Sequence, residues 1–120
     1  MIRTELSLRL PNSPGALATV CRVLADERVN VLALSLDAAG QLRLVVENHV
    51  HGAAVLRERR HQVTERDVLM VPLANVPGAL ASPLALASAA GINVDYAYSG
   101  ATAVVLGVDD ALRASAAAGL

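Results

Sequence analysis

Residues 10–18 read L-P-N-S-P-G-A-L-A and residues 73–81 read L-A-N-V-P-G-A-L-A, so seven of nine positions agree at an offset of 63. The same offset carries Asn30-Val31 onto Asn93-Val94 without a gap. An internal duplication constrains the fold more tightly than any local propensity, because both copies must adopt the same supersecondary unit. Two repeats are therefore expected, residues 1–66 and 67–120. A chain of 120 residues has room for one real core or for two very small domains.

Hydrophobic periodicity supplies the elements. Residues 2–10 alternate, with Ile2, Thr4, Leu6, Leu8 and Leu10 on one face, as a half-buried strand does. Ser13 is placed to cap a helix that begins at Pro14, and Leu17, Val20, Cys21, Leu24 and Ala25 form its apolar stripe. Strands follow over residues 30–36 and 41–47, then a helix from 49 to 60 capped by Asn48. Residues 63–73 form one extended stretch, read as the last strand of the first copy running into the first strand of the second. The second copy then gives a helix over 77–90 stopped by Gly91, strands over 93–98 and 103–108, and a helix from Asp109-Asp110 to the end of the chain.

This order defines an α+β fold of two ferredoxin-like (βαββαβ) repeats with antiparallel sheets, the second repeat lacking its last strand. Residues 68–73 should then expose one strand edge rich in Val, Leu and Met. Open edges recruit partners, which predicts a homodimer or higher homo-oligomer. Pro83 stands where the first copy has Val20, and in a helix interior it would remove a hydrogen bond and kink the helix at a cost of about 3 kcal/mol.

Charge and composition exclude several functions. A formal net charge of −1 gives no electrostatic case for nucleic acid or an acidic membrane surface. No apolar run reaches transmembrane length and no signal-peptide pattern is present, so a soluble cytoplasmic protein is expected. Hydrophobic residues make up 54% but aromatics only 2%, so the core must be built from Ala, Val and Leu.

Each Asn-x-Pro-Gly turn delivers the chain from a strand into a helix whose first N–H groups are unpaired, a place that favours carboxylates. An Asn side chain offers both a donor and an acceptor to a zwitterion. The simpler reading is a tight turn in which Asn12 caps a helix and Asn30 tolerates an awkward strand start.

The repeated N-x-P-G-A-L followed by (V/I)-N-V resembles the ACT domain, the small ligand-sensing module of amino-acid metabolism. The residues are Asn12, Pro14, Gly15, Ala16 and Leu17 with Val29-Asn30-Val31, then Asn75, Pro77, Gly78, Ala79 and Leu80 with Ile92-Asn93-Val94. The resemblance spans nearly the whole chain and implies a stand-alone tandem ACT protein. Similarity to the serine-binding ACT domain of phosphoglycerate dehydrogenase implies that Asn12 and Asn75 bond the ligand from the loop. By the same similarity Asn30 and Asn93 bond it from the opposing unit, and Gly15 and Gly78 let the backbone approach. It further implies sites between repeats, with residues 30–36 pairing beside 93–98. Leu10 and Leu73 stand where that domain has a ligand-contacting His, which speaks against serine itself. Asp95 replaces Leu32 and is a candidate partner for the ligand ammonium.

The expected function is an amino-acid-binding regulator or sensor that is not an enzyme, with a small amino acid and a metabolic enzyme as partners. Its rival is a ferredoxin-like dimerisation scaffold with no ligand. No cofactor is called for. His49, Val50 and His51 lie at a helix start, where i and i+2 diverge, and no Cys or carboxylate completes a metal set. Cys21 sits in an apolar stripe as a packed thiol, and Arg57, Arg59 and Arg60 read as a solvated helix face. Tyr96 and Tyr98 share one strand face, in the core or lining a pocket between repeats.

Overall fold

The computed structural model describes residues 1–119. The last helix, expected to run to the end of the chain, stops at Ala118, where the left-handed Gly119 caps it; Leu120 lies outside the described residues. The elements are β1 (Ile2–Arg9), α1 (Ala16–Asp26), β2 (Val31–Leu36), β3 (Gln41–Val46), α2 (His49–Glu58), β4 (Thr64–Pro72), α3 (Ala81–Ala89), β5 (Val94–Ser99), β6 (Ala103–Val108) and α4 (Ala111–Ala118). The fold is thus α+β, with six antiparallel strands and four helices among the described residues. Contacts divide the chain into two compact units, Thr4–Arg66 and Met1–Arg3 together with the chain from Asp67 onward.

In the first unit the strands run in the order β2-β3-β1. The β1–β3 register sets Leu6 opposite Leu44 and Leu8 opposite Leu42. The alternation of β1 puts Leu6, Leu8 and Leu10 into a core with Val20, Val23 and Leu24 of α1 and Ala53, Val55 and Leu56 of α2. The buried stripe of α1 includes Val23, while Ala25 is exposed and Cys21 is only half-buried. Burying each such aliphatic side chain contributes about 1.5–3 kcal/mol. The Asn48 side chain accepts from the His51 N–H at 3.1 Å and starts α2 as expected.

In the second unit the order is β4-β6-β5. Its core is Leu69 and Val71 of β4, Val104, Leu106 and Val108 of β6, Ile92, and Ala87 and Ala114 of the helices. Asp110 caps α4 by accepting from the Arg113 N–H at 2.9 Å, just as Asn48 caps α2. Gly91, at φ +72°, ends α3. Tyr96 and Tyr98 are half-buried on the other face of β5, their rings 6.3 Å apart and stacked at 11°. Tyr96 lies flat on Gly107, where a Cβ would strike the ring, so the pair lies outside the core of its unit.

Several expectations are corrected. Both turn helices start later than the prolines suggest. Gly15, at φ +84°, is the N-cap of α1, so Pro14 lies before the helix and Ser13 makes no capping bond. α3 starts at Ala81, which places Pro83 third in the helix. A first-turn N–H has no intrahelical acceptor in any case, so Pro83 removes nothing and no kink is required. β2 and β5 take β3 and β6 as their registered partners, each within its own unit, so the expected pairing of residues 30–36 with 93–98 is not made within the chain.

The strand edge expected to be open is paired. The Met70 N–H donates to the Met1 carbonyl at 2.8 Å, and the α-amino group of Met1 donates to the Met70 carbonyl at 3.1 Å. The second unit thus takes Met1–Arg3 as the neighbour of β4, and the case for an oligomer through that edge falls away. Burial first, and Arg3 second, lowers the pKa of this amino group below its ordinary 8.0. Deleting Met1–Arg3 should uncover the edge. The truncated chain is expected to melt at lower temperature and to scatter light as a heavier species; an unchanged melting point and mass would refute this account.

Candidate functional site

Each unit carries a groove built by the same two segments. The first is the loop from the opening strand into its helix. Gly15 and Gly78 adopt φ +84° and +83°, a left-handed conformation that glycine reaches without steric cost. The second is the tip of the following hairpin. In the first unit the Leu10 N–H donates to the Gly40 carbonyl at 2.8 Å; in the second the Leu73 N–H donates to the Thr102 carbonyl at 3.0 Å. These bonds hold loop and tip against each other and leave a groove between them.

The groove of the first unit encloses about 170 Å³ and includes Asn12, Gly15, Ala16, Leu17, Leu36 and Asp37 in its walls. The groove of the second encloses about 570 Å³ and includes Asn75, Gly78, Ala79, Leu80, Ser99 and Thr102. Pro14 borders a neighbouring surface cleft with Thr19 and His61, and Pro77 belongs to the turn that precedes α3. The Asp37 carboxylate accepts from the Ala39 N–H at 3.0 Å and the Gln41 N–H at 3.1 Å, which fixes the first hairpin tip. The Arg9 guanidinium donates to the Ala39 carbonyl at 2.8 Å from the outside.

The remaining expected residues lie elsewhere. Asn30 precedes β2 and donates from Nδ2 to Glu47 Oε2 at 3.4 Å. Asn93 precedes β5 and donates to Asp95 Oδ1 at 2.9 Å. Val31 and Val94 open the two strands and pack against the two cores. Leu36, at the far end of β2, lines the first groove. Asn30 is six residues upstream, roughly 20 Å away at about 3.3 Å per strand residue. Within a unit, therefore, the structure brings Asn12 to the hairpin tip but not to Asn30, and Asn75 to Ser99 and Thr102 but not to Asn93.

The hairpin residues Asp37, Ser99 and Thr102 were absent from the expected set. The offset of 63 maps Leu36 onto Ser99 and Asp37 onto Gly100, so the repeat itself held that signal. His51 Nε2 lies 3.1 Å from the Glu27 carbonyl, tying α2 to the end of α1. No group of three or more His, Cys, Asp or Glu side chains able to hold a metal ion occurs among the described residues.

The same groove, between a strand-to-helix loop and a hairpin tip, thus recurs on both units of this α+β fold. The ACT domain family matches residues 4–64, just over half of the chain, and the chain belongs to that family. ACT domains are typically amino-acid-binding regulatory domains. A crystal structure of a protein from Bacteroides thetaiotaomicron is 32% identical over 98% of this chain and 86% of its own, with a TM-score of 0.87. The ligand-free regulatory subunit of aspartate kinase from Thermus thermophilus is 17% identical over 99% of this chain and 92% of its own, at TM-score 0.69. The corresponding subunit from Thermus flavus is 17% identical over 98% and 90%, at TM-score 0.66. At these identities the two kinase subunits share the fold. No curated protein matches the sequence.

The two glycine types at the grooves should respond differently to a methyl group. At Gly78 a Cβ meets open space, so Gly78→Ala carries only the left-handed backbone cost, about 1–2 kcal/mol. At Gly40 a Cβ collides with the Leu10 carbonyl oxygen at φ +84° as well. Gly40→Ala is expected to be the more damaging by at least about 1 kcal/mol, as read by urea denaturation; equal losses would show that the hairpin tip is not held against Leu10.

Proposed function

We propose that this protein is a tandem ACT regulator that binds a small amino acid at its loop grooves and acts through a partner or through its own assembly. The observation that carries the reading is the pair of grooves, each formed by an N-x-P-G loop against a hairpin tip and each presenting an Asn side chain. An amide offers an acceptor to the ligand ammonium and a donor to its carboxylate, and the helix start beyond the loop favours the carboxylate. Pro14, Ala16 and Leu17, with Pro77, Ala79 and Leu80, shape these loops.

Asn30, Val31, Asn93, Val94 and Asp95 serve, in this reading, as the contribution of an opposing unit. Their side-chain bonds to Glu47 and within the Asn93–Asp95 pair hold the two Asn residues ready at the strand starts. A metabolic enzyme is the natural partner, given the regulatory subunits of aspartate kinase that share the fold. No helix among the described residues is long and apolar enough to cross a membrane, and a cytoplasmic setting suits such a partner. The rival reading is a scaffold that uses the fold without a ligand.

Replacing Asn12 and Asn75 together by Ala removes the amide from both grooves while leaving both cores intact. Hydrogen bonds to a charged group contribute about 1.5–3 kcal/mol each. Amino-acid affinity in titration calorimetry is expected to fall by about tenfold or more, with the melting temperature nearly unchanged. Undiminished affinity would return both residues to a turn-forming role.

Assembly is a second part of the proposal. β2 and β5 are the outer strands of their units, and Leu34 and Leu36 of β2 are 37% and 41% exposed. Strand pairing between copies through such edges is a low-cost route to an oligomer. Light scattering coupled to gel filtration is expected to give at least twice the 12.4 kDa chain mass; a species of single-chain mass at micromolar concentration would refute it.

A further inference from the structure

Resting on the amino-acid reading above, we infer that ligand binding is confined to the groove of the second unit and that its ligand is an α-amino acid with an uncharged side chain. The two grooves occupy equivalent positions in the duplicated sequence, so the molecule contains its own control. Their hairpins differ. Four residues, 37–40, join β2 to β3, whereas three, 100–102, join β5 to β6. The Asp37 carboxylate, held in its turn by two backbone N–H groups, is replaced by Gly100, which has no side chain. Leu36 is replaced by the much smaller Ser99.

These changes accompany the increase from about 170 to about 570 Å³. The second groove lies within the range of about 300–1,000 Å³ usual for small-molecule sites, whereas the first, walled by Leu36 and Asp37, is the smaller. The polar side chains of the larger groove are Asn75, Ser99 and Thr102, and none of its lining residues is ionisable. Among the described residues the N–H groups of Gly78 and Leu80 have no backbone acceptor, and we assign them to the α-carboxylate that any amino acid carries. The Asn75 amide oxygen serves the α-ammonium. Both ends of the common zwitterion are therefore provided for, while a charged side chain would lose hydration and gain no counter-charge. An uncharged side chain has no such cost, and the Ser99 and Thr102 hydroxyls can bond a polar one.

Titration calorimetry of the full chain against each of the twenty amino acids tests this, followed by the variants Asn75→Ala and Gly100→Asp. The expected result is one ligand per chain, drawn from the uncharged amino acids, with aspartate, glutamate, lysine and arginine at least about tenfold weaker. Each variant should weaken that ligand by about tenfold or more, since Gly100→Asp restores the acidic side chain that lines the first groove. Gly100 is not among the glycines of positive φ. Should Gly100→Asp fail to fold, Ser99→Leu, which restores the bulk of Leu36, is expected to give the same loss. Two equal sites per chain, preference for a charged amino acid, or full affinity in Asn75→Ala would overturn the inference and leave the sensor reading standing. No binding by any of the twenty would overturn the sensor reading and the inference with it.

Discussion

Two backbone hydrogen bonds, Leu10 N–H to Gly40 and Leu73 N–H to Thr102, fix where each strand-to-helix loop meets its hairpin. Everything on the candidate site follows from them. The sheet register on either side sets the direction of the loop, the left-handed glycine after the proline turns it into the helix, and the hairpin tip closes the groove from the opposite wall. Because both partners are backbone groups, side chains can change around them without moving the frame. The chain uses this freedom: the same bond is kept in both units while one tip loses a residue and a carboxylate.

The fold was legible in the sequence to a large extent, and the reasons are local. The alternation of Leu6, Leu8 and Leu10 is the pattern that a strand with one buried face must have. Asn48 and Asp110 each precede a helix and each accept a bond from the N–H three residues on. Gly91 ends a helix because it alone at that point takes a positive φ without cost. What escaped were consequences of where a helix begins. Pro83 looks disruptive only if α3 is taken to start at Pro77; four residues later it sits harmlessly in the first turn. The left-handed Gly78 delays that start, and nothing in an isolated Pro-Gly pair states by how much.

The site was half legible. Asn12 and Asn75 could be found from the repeated motif, but the opposite wall of each groove comes from residues more than twenty positions away, and only pairing brings it there. The shortened second hairpin is visible as a change of offset: Asn30 maps to Asn93 at 63, whereas the capping Asn48 maps to Asp110 at 62. The closure of β4 by Met1–Arg3 was beyond a linear reading, because it joins residues 69 positions apart through backbone groups that carry no sequence signature. The small aliphatic cores were foreseeable, since a chain with so few aromatics has little else to bury.

That scarcity of aromatics has a practical side. Tyr96 and Tyr98 are the sole aromatic residues of the chain, which has no Trp and no Phe. Both lie on β5, whose last residue, Ser99, lines the larger groove. Their ultraviolet absorption and emission therefore originate in one unit alone. An unlabelled sample carries an optical probe for the second unit, while the first is silent at the same wavelengths, and the two halves of a duplicated chain become spectroscopically distinct.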